Sequence, residues 1–273
     1  MNAAAAGGEA WGGRDDSLAV RGVDLRRGDR HALKAVTLRA RPGRLLALAG
    51  PNGAGKSSLL GVLAGVLAPT RGEATLDGRA LARWSPTALA RRRAMLSQDV
   101  GLDFAFRVDE VAMLGRSPHG RSQASVDDRR VVDAALRAAH VWHLRERDYL
   151  ALSGGEQRRV QLARVLAQVW ECGEGTPWLL LDEPEAGLDI AHQHFMLRRA
   201  RLLACQGFGV IAVLHDLNLV ARYADEVALL AQGRLVRHGS PDEALAPAVL
   251  SEVYGLPLRR VAIDGEGWLL APA

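Results

Sequence analysis

Hydrophobic and polar positions follow two different patterns in the first part of the chain. Leu18–Leu25 and Thr37–Ala40 alternate apolar with polar residues, as strands of an antiparallel sheet with one solvated face do. Leu45–Ala49 is instead a continuous apolar run, which is typical of a strand buried on both faces. A glycine-rich turn then leads into a helix that we expect from Lys56 to about Ala64. The pattern predicts an antiparallel edge sheet beside a buried core strand.

Helical periodicity replaces the strand pattern between about residues 100 and 155. Ser125 followed by Asp128 resembles a capping box, in which the two side chains satisfy backbone N–H groups where a helix begins. We therefore expect a helix from this point through His140. The whole stretch is predicted to be a helical subdomain inserted between two halves of an α/β core.

Buried strands and helices alternate in the second half of the chain. Strands are predicted at Trp178–Asp182, Val210–Leu214 and Val227–Ala231, with helices at Ile190–Ala204 and Asn218–Tyr223 between them. Because strands that alternate with helices favour a mostly parallel sheet, the expected fold class is α/β.

We expect three regions along the chain. Residues 1–16 are rich in alanine and glycine and lack the basic segment and apolar core of a secretory signal, so a disordered tail is predicted. Residues 17–240 hold the α/β domain with its inserted helices, and residues 241–273 form a C-terminal extension packed on the core. No apolar run approaches the ~20 residues that a membrane-spanning helix needs.

The basic residues give a formal net charge of +4 and are scattered in short clusters such as Arg91–Arg93 and Arg158–Arg159. This distribution favours solvated helix faces over one nucleic-acid-binding surface. Only two basic residues are lysines, Lys34 and Lys56. Because an ammonium and a guanidinium are not interchangeable at a crowded phosphate, a lysine at position 56 points to such chemistry.

The glycine-rich turn fits the pattern G-x-x-x-x-G-K-S. Its glycines let backbone N–H groups point at phosphate oxygens, and the start of the following helix adds a positive field. Lys56 is expected to reach the β- and γ-phosphates, and Ser57 to hold Mg²⁺. The predicted nucleotide site comprises Gly50, Pro51, Asn52, Gly53, Ala54, Gly55, Lys56, Ser57 and Ser58.

The apolar strand Trp178–Asp182 delivers two carboxylates to its C-terminal end, where open α/β sheets bind ligands. Asp182 is expected to hold Mg²⁺ and Glu183 to act as the general base that polarises the attacking water. A strand that merely happens to end in Asp-Glu is the alternative.

Polar residues also follow two other strands. His215 follows Val210–Leu214, which should lie beside the strand ending in Glu183, so this histidine is a candidate contact to the γ-phosphate. Gln98 follows the strand Ala94–Ser97 and is a candidate Mg²⁺ ligand. A structural histidine and a polar loop residue are the alternatives.

A second anion site is predicted where Leu152 is followed by Ser153, Gly154, Gly155, Glu156 and Gln157, because Ser-Gly-Gly at a helix start presents free N–H groups. One chain has no obvious use for two phosphate sites on different helices. Two chains that face each other head to tail can each close the other's pocket. An ordinary helix start is the alternative.

In their order and spacing from Leu18 to Gly239, these motifs resemble the nucleotide-binding domains of ABC transporters. The resemblance implies a P-loop NTPase core with a mostly parallel sheet, an antiparallel β edge subdomain and an inserted helical subdomain. It also implies two ATP molecules with Mg²⁺ held between two copies of the chain, Gly50–Ser57 of one facing Ser153–Gln157 of the other. Asp189 would couple the two sites.

The same resemblance implies the partners and the location. The implied partners are a second copy of the chain, two transmembrane permease subunits and a periplasmic substrate-binding protein, with no nucleic acid. The protein would then be peripheral, on the cytoplasmic face of the inner membrane.

Two segments, Phe106–Arg116 and His215–Asp225, resemble the importers of iron chelates, vitamin B12 and haem. Within that group, Ser117–His119, Leu188–His194 and Leu250–Gly255 resemble the haemin-import ATPases. The implied activity is ATP hydrolysis coupled to haemin uptake. Import of a ferric siderophore or vitamin B12 stays open, as does a soluble ABC ATPase not linked to transport.

Two positions depart from the family pattern. Arg27 stands where many members have an aromatic residue that stacks on adenine, and because a guanidinium can also stack, Arg27 is the expected base contact. Glu185 stands where threonine or serine is usual, which places another carboxylate beside Glu183.

Overall fold

The computed structural model describes residues 16–97, 105–120, 125–263 and 267–273. Its smaller sheet is antiparallel, in the order β2-β1-β4-β5, and is the predicted edge sheet. Its strands are β1 (Leu18–Arg27), β2 (Arg30–Ala40), β4 (Arg71–Leu76) and β5 (Arg79–Ala80). β2 begins earlier than predicted, because its first residues pair with the end of β1 down to the Arg27–Arg30 register.

The larger sheet has six strands in the order β10-β9-β3-β8-β7-β6. Neighbouring strands are parallel except for the antiparallel pair β9–β10, so the predicted mostly parallel sheet is confirmed. The strands are β3 (Leu45–Ala49), β6 (Arg93–Leu96), β7 (Trp178–Asp182), β8 (Gly209–Val213), β9 (Glu226–Ala231) and β10 (Arg234–Gly239).

Two hydrophobic cores cover the faces of the larger sheet. Leu46 and Leu48 of β3 belong to the core shared with the smaller sheet, whereas Leu45, Ala47 and Ala49 belong to the core on the opposite face. Both faces of β3 are thus covered, which explains its unbroken apolar run. The helices of the α/β core are α1 (Lys56–Leu63), α2 (Pro86–Arg92), α5 (Gly154–Val169), α6 (Ile190–Cys205) and α7 (Leu217–Tyr223).

The predicted helical stretch holds α3 (Val108–Met113) and α4 (Val126–Ala138). The expected capping box is present, since Ser125 Oγ accepts the backbone N–H of Asp128 at 3.1 Å and the Asp128 carboxylate accepts that of Ser125. The helix ends before His140 because that residue has a left-handed backbone, with φ of 56°.

The C-terminal segment holds α8 (Pro241–Ala244), α9 (Pro247–Tyr254) and a hairpin of β11 (Leu258–Ile263) and β12 (Gly267–Pro272). Leu250 and Leu270 are buried in the larger core, which attaches this segment to the domain. Residues 1–15 and 264–266 lie outside the described ranges, so the expected N-terminal tail stays a prediction. Within the described ranges, no helix is both long and apolar enough to cross a membrane.

The prediction that the arginine clusters form solvated helix faces is wrong for Arg92 and Arg158. Arg92 is buried, at 8% exposure, because its guanidinium pairs with Asp77 at 2.5 Å instead of facing solvent. Arg158 is half-buried because its guanidinium donates to the backbone carbonyl oxygens of Ser97 and Glu183.

Candidate functional site

Three neighbouring parallel strands carry the predicted site residues to one edge of the larger sheet. β8 lies between β3 and β7. The chain leaves β3 at Gly50 and β7 at Glu183, and it reaches His215 two residues after β8. Because the carboxyl ends of parallel strands meet at the same edge, residues far apart in sequence come together there.

The turn after β3 needs its glycines. Gly50 has φ of 138°, and a Cβ there would lie 2.1 Å from the carbonyl oxygen of Leu230. Gly55 has φ of 106°, and its Cβ would lie 2.6 Å from the carbonyl oxygen of Ala32. Gly55 also provides no side-chain cap for α1. The first N–H groups of α1 are therefore left to an external acceptor, as an anion site requires.

Lys56 is buried beneath this turn, at 5% exposure. Its Nζ donates to the carbonyl oxygens of Gly50 at 2.7 Å and Pro51 at 3.1 Å. These contacts use two of the three donors of an ammonium. Burial lowers the pKa of Lys56, and nearby carboxylates, Glu183 foremost, oppose that shift. The lysine is thus held at the turn with a donor to spare.

Ser57 and Asp182 bring two oxygen ligands together at the same edge. Ser57 Oγ donates to Asp182 Oδ1 at 3.1 Å. Burial raises the pKa of Asp182, while the hydrogen bond from Ser57 lowers it. Hydroxyl and carboxylate oxygens are ligands that Mg²⁺ prefers, so the pair fits the expected ion. Gln98, the third expected ligand, lies outside the described residues.

Glu183 and His215 form a close pair across strands β7 and β8. His215 Nε2 lies 2.5 Å from Glu183 Oε1. Glu183 has a left-handed backbone, with φ of 49°, and its N–H donates to the carbonyl oxygen of Val213 at 3.2 Å. Non-glycine residues in this region carry strain and cluster at functional sites. The contact places a carboxylate beside a second polar group that can contact a ligand.

Arg158 is a site residue that the sequence reasoning missed. Its guanidinium donates to the carbonyl oxygens of Ser97 at 2.9 Å and of Glu183 at 2.9 Å. Arg158 lies four residues after Gly154 and hence on the same face of α5, which was the available signal. The residue ties the helix of the second predicted anion site to the ends of β6 and β7.

The start of α5 is an ordinary capping box within the chain. Ser153 donates through its hydroxyl to Glu156 Oε2 at 2.8 Å and accepts the Glu156 N–H at 3.3 Å. Hydrogen bonds from the backbone and hydroxyl of Ser153 lower the pKa of Glu156. Gly154 is exposed, and a Cβ there would meet nothing within 4 Å. Gln157, which follows Glu156, is half-buried, and its side-chain amide donates to the carbonyl oxygen of Tyr149 at 3.1 Å.

Asp189 is the N-cap of α6 and contacts His192, which lies beside the start of α5. Its Oδ1 accepts the backbone N–H of His192 at 2.9 Å and lies 2.8 Å from His192 Nδ1. These bonds from His192 lower the pKa of Asp189. A Cβ built on Gly155 would lie 2.8 Å from the His192 ring. His192 therefore touches both segments that were expected to face a second chain.

A cavity of about 810 Å³ opens beside the glycine-rich turn Gly50–Ser57, the predicted phosphate loop. It is lined by Arg30 and His31 of β2 rather than by Arg27, and by Glu252 of α9 on the other side. Arg30 also donates to the carbonyl oxygen of Gly53 at 3.2 Å. Arg27 is exposed and pairs in register with Arg30. Arg30 thus presents a cation to this cavity next to the turn.

Comparison with known families agrees with this arrangement. A family model described as "ABC transporter" matches residues 33–186. The chain is 53% identical over 239 residues to the Hemin import ATP-binding protein HmuV of Pseudomonas putida, covering 88% of this chain and 92% of that protein. It is 48% identical over 259 residues to the protein of the same name from Myxococcus xanthus, covering 94% and 97%.

Solved structures show the same fold. One chain of an ABC transporter in an inward-facing conformation aligns with a TM-score of 0.80 at 25% identity, covering 95% of this chain and 98% of that one. The dimeric bacterial ABC transporter cassette MJ0796 aligns with a TM-score of 0.70 at 26% identity, covering 82% and 98%.

Proposed function

The chain belongs to the family of ABC transporter ATP-binding subunits, and on that premise we propose that it powers the import of haemin across the inner membrane. As a family member it binds ATP and hydrolyses it to drive transport. The observation that supports haemin as the cargo is the high identity, over nearly the whole chain, to relatives named as haemin-import proteins.

For hydrolysis, the three neighbouring strand ends supply the chemical groups. Free backbone N–H groups of the turn and of the start of α1, from Asn52 to Ser58, bind the phosphates together with the ammonium of Lys56. Glu183 takes the proton of the attacking water, and His215, beside it, contacts the γ-phosphate. The contact between Glu183 and His215 supports both roles, because it places a base and a phosphate-contacting group side by side.

Ser57 and Asp182 hold Mg²⁺, with Gln98 as the third residue. When bound, the ion neutralises charge on the phosphates. The hydrogen bond between Ser57 and Asp182 supports this assignment, since it brings both oxygens to one place.

The active form is a head-to-tail dimer. Ser153–Gln157 of one copy close the nucleotide site that Gly50–Ser57 of the other copy provide, and Asp189 couples the two sites. The open space at Gly154 supports this, because a phosphate held by another chain can approach the helix start. Arg27, which pairs in register with Arg30, contacts the base from the edge sheet, while Arg30 lines the cavity beside the phosphate loop.

The dimer sits on the cytoplasmic side of two transmembrane permease subunits, which receive haemin from a periplasmic binding protein. The cargo does not touch this chain, so its identity must be tested through transport.

The test is growth of the source organism after deletion of this gene, with haemin as the sole iron source. We expect growth to fail and to return with the wild-type gene but not with Glu183→Gln. Growth on an inorganic iron salt is the matched control and should be unaffected. If the deletion strain grows normally on haemin but loses uptake of a ferric siderophore or vitamin B12, the transported substrate is that compound and not haemin, and the assignment as a transporter ATPase stands.

A further inference from the structure

A carboxylate without a role in the proposed reaction lies against the hydrolytic pair. Glu185 follows β7 by three residues, in a turn closed by a hydrogen bond from the N–H of Leu188 to the Glu185 carbonyl at 3.2 Å. The residue is only 5% exposed. A glutamate is among the residue types least often buried, so its position here calls for a physical reason.

Glu185 contacts the hydrolytic pair through the backbone. Its Oε1 accepts the N–H of His215 at 3.0 Å. That N–H belongs to the residue whose ring lies 2.5 Å from Glu183. Glu185 thus holds the backbone of His215, from which the imidazole extends. This hydrogen bond joins the segment after β7 to the segment after β8, 30 positions apart in sequence.

The arrangement does not favour stability. Glu185 Oε2 is buried without a hydrogen-bond partner among the described residues. Burial raises the pKa of Glu185 overall, although hydrogen bonds from the backbone N–H groups of His215 and of Glu185 itself oppose that shift. A buried carboxyl that satisfies one oxygen costs free energy relative to an apolar side chain of similar volume. A residue kept at that cost is better explained by its contact with His215 than by packing.

Building on the proposed roles of Glu183 and His215, we infer that Glu185 is a positioning residue for ATP hydrolysis. It holds the backbone of His215 so that the imidazole stays against the Glu183 carboxylate. It does not contact the nucleotide itself.

The test compares two substitutions of nearly equal size. Glu185→Gln keeps a side-chain oxygen that can accept the His215 N–H, whereas Glu185→Met fills the same space without an acceptor. We expect Glu185→Met to lower kcat about tenfold while KM for ATP stays within about twofold, since a small misplacement at a reacting centre is enough for such a loss. Glu185→Gln should recover most of that rate.

Thermal unfolding separates this role from a structural one. Glu185→Met should melt no lower than the wild type, because it removes a buried, half-satisfied carboxyl. In a His215→Ala background, the Met and Gln variants should hydrolyse ATP at the same residual rate.

Equal rates for Glu185→Met and Glu185→Gln in the wild-type background would overturn the inference. So would a difference between them that persists without the His215 ring. Failure of the proposed function would look different, because the wild-type protein itself would then show no ATP hydrolysis.

Discussion

His215 Nε2 lies 2.5 Å from Glu183 Oε1, and the two residues follow neighbouring parallel strands, β8 and β7. The contact exists because β8 is inserted between β7 and the strand that carries the phosphate loop. Nothing in the local sequence around either residue requires it.

Glu183→Gln should bind ATP normally and lose turnover by about 10²–10⁴-fold, because the amide cannot take the proton of water. The ATP-bound form should accumulate as a dimer, visible by size-exclusion chromatography. Glu174→Gln, in an exposed loop, is the matched control. Full hydrolysis by Glu183→Gln would remove Glu183 as the base.

Lys56→Arg should abolish hydrolysis and weaken ATP binding although it keeps the charge. The ammonium is buried between two loop carbonyls at 2.7 and 3.1 Å, and a larger planar guanidinium cannot occupy that space. Arg129→Lys, the reverse exchange at an exposed position of α4, is the matched control and should leave both properties within about twofold, the scatter of an ordinary surface change. Isothermal titration with ATP and a phosphate-release assay measure the two effects. Unchanged affinity and rate in Lys56→Arg would refute its contact with phosphate.

Gly154→Asp should leave ATP binding by the single chain intact and stop hydrolysis. A side chain there meets nothing within 4 Å in its own chain, so folding should be unaffected. In the proposed dimer, however, the new carboxylate faces the phosphate of the other copy and repels it. Gly154→Ala adds bulk without charge and should be impaired less. A normal rate in Gly154→Asp would show that each chain has a self-contained site.

Asp128→Asn should destabilise the protein at neutral pH and remove part of its acid sensitivity. Burial disfavours the charge of Asp128, but hydrogen bonds from Arg116 and Ser125 outweigh it and lower the pKa from 3.8 to about 2. Because the folded-state pKa is below the unfolded one, this stabilisation is complete above about pH 4 and is lost as pH falls through about 2. The contribution of ionised Asp128 to the free energy of unfolding is on the order of 2 kcal/mol.

Urea unfolding followed by tryptophan fluorescence measures that difference. The gap in unfolding free energy between wild type and Asp128→Asn should be largest at pH 7 and should shrink steadily below pH 4. Asp127→Asn, exposed on the same helix, is the matched control and should show little change. A gap that is the same at pH 7 and pH 3 would contradict the pairing of Asp128 with Arg116.

The amino-acid sequence by itself determined the elements and the chemistry carried at their ends. The unbroken apolar runs of Leu45–Ala49 and Trp178–Leu181 predicted both strands with their observed bounds, Asp182 ending the second, because burial on both faces leaves no polar position within a run. The motif also predicts the need for glycine at positions 50 and 55. The structure gives the reason, because their positive φ angles and close carbonyl contacts exclude a side chain.

Only the tertiary structure decided which polar groups meet. In sequence Arg158 is one of many helical arginines, and only the fold brings it to the ends of two strands. The fold likewise brings Arg30 to the phosphate loop, a contact that no local pattern predicts. Glu185 was recognised as unusual in sequence, but its burial and its bond to His215 were not predictable. The hydrophobic patterns that predict strands and helices involve residues only a few positions apart in sequence. These contacts depend instead on the order of strands within the sheet, which is decided by how the two layers pack around it.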